Sequence, residues 1–396
     1  MNTQTRDLPL ETMDLQMGPS HPATHGTIKF DLKLEGEKVL DCDVEVGYLH
    51  RGFDKMCEQA TWNQVIPYTD RLNYVSPLIN NFGYALAVEK LLDVEAPPRC
   101  QFIRVAMSEL SRIMDHLTCC GMAASELGAI TAGFYMIEAR ELLTRIVEAV
   151  TGARLTISYA RIGGVKHDLP PDFSEWVVDA FRKTRRLLAD CERLLARNRI
   201  FIDRMSEIGV VSREMAVAYG LTGPILRSTG VSYDVRKAYP YLVYDQLDFE
   251  VPLGTKGDNY DRFICRIQEI EQSMKIVEQA LEKMPLGPIA LEDPRIVLPE
   301  KEKVYNSIEG LMNHFKFIME GIQVPAGEVY LAVEGGNGEL GFYIVSQGGG
   351  RPYRVRVRPP CFIAMSAFHE MIRGHMVADI IPTFGMINMI GGECDR

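Results

Sequence analysis

Cysteines at Cys-x-x-Cys spacing are absent from this chain. Its nine cysteines (Cys42, Cys57, Cys100, Cys119, Cys120, Cys191, Cys265, Cys361 and Cys394) are scattered, and none forms a Cys-x-x-Cys. That spacing argues against a disulfide framework and against an iron–sulfur cluster held by this chain alone. Long apolar runs are missing too: no stretch approaches the roughly 18 residues that a membrane span requires. Met1 to Leu10 carries neither the basic region nor the apolar core of an export signal. Excess positive charge is also lacking, with 43 Lys and Arg against 53 Asp and Glu and a net charge of −10, which disfavours a nucleic-acid grip built on bulk charge. No internal repeat or low-complexity tract is visible. What remains is a folded composition, 46% hydrophobic and 24% charged, in 396 residues. That length suits two or three domains or one large α-rich unit. A reduced cytosolic protein, at most peripheral to a membrane, is the expectation.

The patterning is mostly helical. Ile28, Phe30, Leu32 and Leu34 alternate with Lys29, Asp31, Lys33 and Glu35, and Gly36-Glu37 leads into Val39 to Val46, the pattern of a β-hairpin. Apolar residues then recur at three- and four-residue spacing over Asp70–Val94, Pro98–Glu126 and Thr131–Val150, which predicts three long helices. A fourth is expected from Pro170 to about Met205, and further helical periodicity covers Asp258–Met284 and Lys301–Glu320. Between 221 and 257 the period is lost, but Tyr233, Tyr239, Tyr241, Tyr244 and Phe249 are too many aromatics for a disordered linker. Glu328–Val333, Glu339–Ser346 and Tyr353–Arg358 predict a small antiparallel sheet, followed by a closing helix over Cys361–Met376. The fold class is therefore α+β: a core of long helices with an N-terminal β-hairpin and a small C-terminal antiparallel β-region. The expected divisions are 1–60 for the tail and hairpin, 61–320 for the helical core with its insertion at about 221–257, and 321–396 for the β-region, closing helix and tail.

Few motifs carry chemistry by themselves. His369-Glu370-Met371-Ile372-Arg373-Gly374-His375 suggests a helical zinc site, but such a site needs its histidines at i and i+4, and Arg373 stands there. Gly335-Gly336-Asn337-Gly338 and Gly348-Gly349-Gly350 lie between strands with no Lys-Ser/Thr following, so they read as turns rather than phosphate loops. Gly18-Pro19-Ser20-His21-Pro22-Ala23-Thr24-His25-Gly26 places two imidazoles in a loop entering the first strand, where a histidine could offer a proton near neutral pH. Gly47 to Lys55 and Thr69 to Tyr74 set cations and tyrosines at element boundaries. Taken singly, each of these fits a backbone-satisfied histidine, an ion pair or a capped turn.

Together they carry a resemblance. Gly18–Gly26, Gly47–Lys55, Ala85–Leu92, Arg161–Leu169, Ser232–Tyr241, Val251–Gly257 and Gly392–Arg396 resemble, in order and across nearly the whole chain, a component of respiratory complex I (NADH-quinone oxidoreductase). Among that enzyme's subunits B, C, D and H, the resemblance is to D, the large quinone-site component. That family is related to the large subunit of nickel–iron hydrogenases, which holds its metal with four thiolates. Here the corresponding positions are Asn73, Ser76, Ile390 and Glu393, none of them a thiolate, so soft-metal ligation is lost and no metal is expected. The resemblance implies that the vacated cavity takes a quinone, ubiquinone or menaquinone.

It also implies roles for residues. His25 and Tyr74 would meet the two carbonyl oxygens of the quinone head group, an imidazole and a phenol both being able to donate protons. Glu126, where the family commonly has Asp, would pair with His25. Arg51 and Arg71 would lie near the terminal iron–sulfur cluster held by the neighbouring component, B, where a cation favours the reduced state. Thr156 replaces a histidine common in the family, which points to a lower-potential quinone such as menaquinone. The implied whole is a proton-pumping NADH:quinone oxidoreductase, with subunits B, C and H as partners. This chain would sit peripherally on the cytoplasmic face of the bacterial inner membrane, touching the membrane through those partners. Subunits C and D are fused in some bacteria, and the stretch before Gly18 is too short to carry C. The rival readings are a hydrogenase large subunit, which the missing thiolates disfavour, and a non-catalytic scaffold subunit of a related ferredoxin- or hydrogenase-linked membrane complex.

Overall fold

The computed structural model describes residues 12–396; the part of the expected tail before residue 12 lies outside this range, and the part within it carries a strand instead. Three antiparallel strands open the chain: β1 (Thr12–Met17), β2 (Lys29–Glu35) and β3 (Lys38–Glu45), in the order β1-β2-β3. The expected hairpin is present. Phe30, Leu32 and Leu34 point inward and Asp31 and Lys33 outward, as strand alternation requires.

Short helices α1 (Phe53–Gln59) and α2 (Trp62–Thr69) lead to α3 (Pro77–Leu92), α4 (Pro98–Glu126) and α5 (Ile130–Thr151). Helix α3 begins seven residues later than its periodicity suggests, because 70–76 is a turn. Proline opens both α3 and α4, where its missing N–H costs nothing. Helix α5 stops at Gly152, which takes a left-handed conformation at φ 81°. The expected helix to Met205 breaks into α6 (Phe173–Leu195) and a short helix, Arg199–Met205, restarted by Asn198. Helix α7 (Asn259–Lys283) is capped by Asp258, whose side chain accepts the Asp261 N–H. Helices α3, α5 and α7 all pack against α4, which is buried along most of its length.

Lys301–Glu320 is split at Ser307 into two helices. Strands β4 (Gly327–Glu334), β5 (Glu339–Ser346) and β6 (Arg354–Arg358) form the second antiparallel sheet, which packs on α3. The expected closing helix is not continuous. It forms as Pro360–Ser366 and Phe368–Ile372, and the chain then extends so that Val39 exchanges two backbone hydrogen bonds with Gly374 and His375. His375 therefore leaves the helix that carries His369. Two further helices follow, α8 (Val377–Ile387) and α9 (Gly391–Asp395).

The irregular stretch 221–257 is ordered by buried charge. Arg227 bonds Glu269 at 2.7 Å and Glu334 at 2.8 Å, while Arg236 bridges Asp234 and Glu109. Apolar cores lie around α4 to α7, between the first sheet and the 360–394 helices, and between α1 to α3 and the second sheet. The last turn of α4, with Glu126, meets the second of these cores at Gly385, and His25 and Tyr74 pack against the same core. No helix among the described residues is long and apolar enough to cross a membrane.

Candidate functional site

Between β1 and β2 the chain makes a tight turn at Pro22–Thr24. His21 caps it by accepting the Ala23 N–H on Nδ1, and the buried Thr24 hydroxyl ties it to the Pro19 and His21 carbonyls. His25 ends this turn in the left-handed region, at φ 53°, followed by Gly26 at φ 74°. Non-glycine residues adopt that conformation only where their surroundings hold it. The ring stands edge-on to Phe384, with centroids 5.1 Å apart, and its Nε2 lies 3.4 Å from Glu126 Oε1. The imidazole is about a third exposed and Glu126 largely covered, 34% against 16% of the side chain. Glu126 Oε2 lies against Gly385, where an added Cβ would come within 3.1 Å, and is buried without a hydrogen-bond partner among the described residues. The structure thus brings His25 and Glu126 together through a long contact.

Tyr74 lies in the 70–76 turn, half-buried against the same apolar cluster that holds Phe384. Burial raises its phenol pKa, with Cys361 and Asp115 acting in the same direction and the Gly391 backbone N–H opposing them. The turn is built by Asn73, whose Oδ1 accepts the N–H groups of Val75 and Ser76. Its amide nitrogen donates to Asp115 and to Glu393, each at 3.2 Å. Asp115 also accepts from the Ser76 hydroxyl and the Asn388 amide, both at 2.7 Å. Three of the four positions that correspond to hydrogenase ligands therefore meet in one buried hydrogen-bonded knot. The fourth, Ile390, is an apolar core residue. The polar groups at these positions are engaged with one another, and an amide, a hydroxyl, a carboxylate and an aliphatic chain do not suit a soft metal. Burial, then the nearby Asp115, pushes Glu393 up to about 7.

Arg51 and Arg71 form the other edge. Arg51 donates to the Tyr68 carbonyl at 3.2 Å, its Nε is buried without a partner among the described residues, and burial followed by the charge of Arg71 lowers its pKa. Arg71 donates to Asp70 Oδ1 at 2.9 Å and to the Pro67 carbonyl. Its side chain remains 45% exposed. Two guanidiniums this close, served by one carboxylate, leave positive potential facing outward. Thr156 is exposed in the loop after α5.

Asp115 and Asn388 were not singled out by sequence reasoning. The available signal was Asp115-His116 interrupting the apolar face of α4.

The 49 kDa subunit of respiratory-chain NADH dehydrogenase is the family whose model matches this chain, over residues 126–396. The chain belongs to that family. It is 57% identical over 391 residues to a D component of NADH-quinone oxidoreductase, the one numbered 1, from Sorangium cellulosum, covering 98% of this chain and 97% of the relative. It is 53% identical to the D component of the same enzyme in Myxococcus xanthus, over 98% and 94% of the two chains. A C/D component from Bdellovibrio bacteriovorus is 49% identical over 97% of this chain but only 69% of its own length. As a member of the 49 kDa family, the chain is one component of a larger enzyme.

Proposed function

We propose that this chain forms the quinone-reducing site of a proton-translocating NADH:quinone oxidoreductase. Its electrons come from the terminal iron–sulfur cluster of the neighbouring component, B. His25 and Tyr74 each meet one carbonyl oxygen of the quinone head group, and Glu126 orients His25. Quinone reduction consumes two electrons and two protons, and an imidazole and a phenol are suited to give the protons. Arg51 and Arg71 face the cluster, where their positive charge favours its reduced form.

The observation that carries this reading is the pairing of a partly exposed imidazole with a mostly covered carboxylate, beside a half-buried phenol on the same apolar cluster. The open side suits the rest of a binding chamber supplied by a neighbouring chain. Met122, one turn before Glu126, and Ile130 and Phe134 at the start of α5 are exposed apolar side chains beside it. The membrane component, H, would admit the quinone, ubiquinone or menaquinone, from the bilayer, and C is the neighbour that the fused relative suggests. In this reading the chain lies peripherally on the cytoplasmic face of the inner membrane.

Tyr74→Phe deletes only the phenolic hydroxyl. In the assembled complex, quinone reduction should slow about 10²-fold, the low end for a positioned proton donor. Reduction of an artificial acceptor that draws electrons upstream should be unchanged. Loss of both activities together would assign Tyr74 to assembly and favour the scaffold reading.

A further inference from the structure

Helix α9 is five residues long and buried throughout, and it touches three loops at once. A Cβ on Gly391 would come within 3.0 Å of Thr27, two residues after His25, and of Leu49, two residues before Arg51. A Cβ on Gly392 would run into the Arg71 carbonyl and lie 2.8 Å from that of Leu72, so the helix backbone packs directly on the turn that carries Tyr74. Asp395 then spends both carboxylate oxygens on backbone: Oδ1 accepts the Gly47 N–H at 2.9 Å and Oδ2 the Leu49 N–H at 2.7 Å. The Asp395 carbonyl lies 2.7 Å from His50 Nδ1. A carbonyl can only accept, so that nitrogen carries a proton.

We infer that Asp395 is a positioning residue for quinone reduction, fixing the Gly47–Arg51 turn, and so the Arg51 guanidinium, in register with Tyr74 through α9. This rests on the function proposed above. Among the described residues the Arg51 head group has a single hydrogen bond, to the Tyr68 carbonyl, and an unpartnered Nε, so its place depends on the backbone that carries it. That backbone is pinned at residues 47 and 49, and the His50 ring is held as well, by one residue of α9. Tyr74 is reached from the same helix through its turn, whose Arg71 and Leu72 carbonyls lie directly against Gly392. Five residues thereby set the distance between the point where electrons arrive and the donor of protons.

Asp395→Asn is the informative substitution, because an amide keeps the size but offers one acceptor oxygen and turns an NH2 toward a backbone N–H. In the assembled complex it should lower the midpoint potential of the neighbouring terminal cluster, read by redox titration with electron paramagnetic resonance. The kcat for quinone should fall about ten- to a hundredfold, the cost of an ångström-scale misplacement. The artificial-acceptor rate should hold. Arg51→Gln and the double variant supply the control. If Asp395 acts through Arg51, the double variant has the potential of Arg51→Gln alone. Shifts that add in full would overturn the inference. An unchanged potential in Arg51→Gln would overturn the placement of Arg51 itself, and with it this route of action. Should Asp395→Asn fail to assemble, Asp395→Glu retains both acceptor oxygens for the same measurements; failure of both would make Asp395 a folding residue and overturn its local role.

Discussion

Glu393 shows how a single position can keep its place in a fold while exchanging its chemistry. A carboxylate stands at a position that the resemblance matches to a metal ligand of a related family, sharing the Asn73 amide with Asp115 in a buried setting. Its pKa is raised to about 7 from an ordinary value near 4.5, first by burial and then by Asp115. The folded chain therefore holds a proton that the unfolded chain releases, so this group's favourable contribution is complete below pH 4.5 and is lost as pH rises through 7. By linkage the loss is on the order of 3 kcal/mol. Glu393→Gln cannot ionise, so the variant should lose less stability than wild type between about pH 5 and pH 8. Thermal midpoints of both proteins at the two pH values check this, and equal slopes would show that Glu393 does not titrate in that window. His25 and Tyr74 were legible because short, ordered motifs carry them. The contact of Glu126 with Gly385 and the junction at Asp115 were not, since each joins residues remote in the chain.

Among elements, the long helices and both expected β-regions were readable because periodicity marks an element that buries one face. The misses share a cause. Strand β1 alternates over only six residues, and Met13 and Leu15 stay 52% and 37% exposed, so burial left a weak imprint on its sequence. The region from Pro360 to Asp395 is apolar nearly all round, which hides its breaks at Ala367 and Arg373 and conceals α8, where Pro382 lies inside the helix. Helix α9 is too short to show a period, and its glycines are the sign of its role. Gly392→Ala would drive a methyl group into two backbone carbonyls, which cannot rotate aside as a side chain can. The variant should lose about 1–3 kcal/mol, the usual cost of overpacking. Hydrogen exchange should rise at residues 47–51 and 71–76 together. Exchange confined to 391–395 would show that the helix moves without the loops.

At the scale of the molecule, distant segments are held together by ions as well as oil. Arg227 is fully buried and faces Glu269, Glu334 and, at 3.6 Å, Asp234. It connects the irregular stretch to α7 and to the second sheet. Arg104 with Glu89 and Arg112 with Glu109 repeat the theme along α3 and α4. Burial opposes the ionised form of Glu109, but Arg112 and Arg236, helped by hydrogen bonds from Tyr244 and Ser273, hold it down at about 2. Arg227→Met would leave buried carboxylates without their cation, at a cost of about 3–5 kcal/mol. Exchange protection should fall over 223–238 before it falls in α5 or α6, and a uniform loss would show that the stretch is not separately anchored. Composition and periodicity cannot reveal such pairs, because a buried Arg and a surface Arg look alike in a helix until the partner's position is known.

The contact of α9 with the loops after Thr27, Gly47 and Arg71 also sets an order of events during synthesis. A ribosome adds roughly 5–20 residues per second, so about 20 to 60 s separate the emergence of Tyr74 from that of Asp395. Throughout that interval the loops bearing His25, Arg51 and Tyr74 exist without the helix that registers them. The site therefore cannot mature before Asp395 has emerged, and a partner that recognises the finished site would bind only chains translated past that residue.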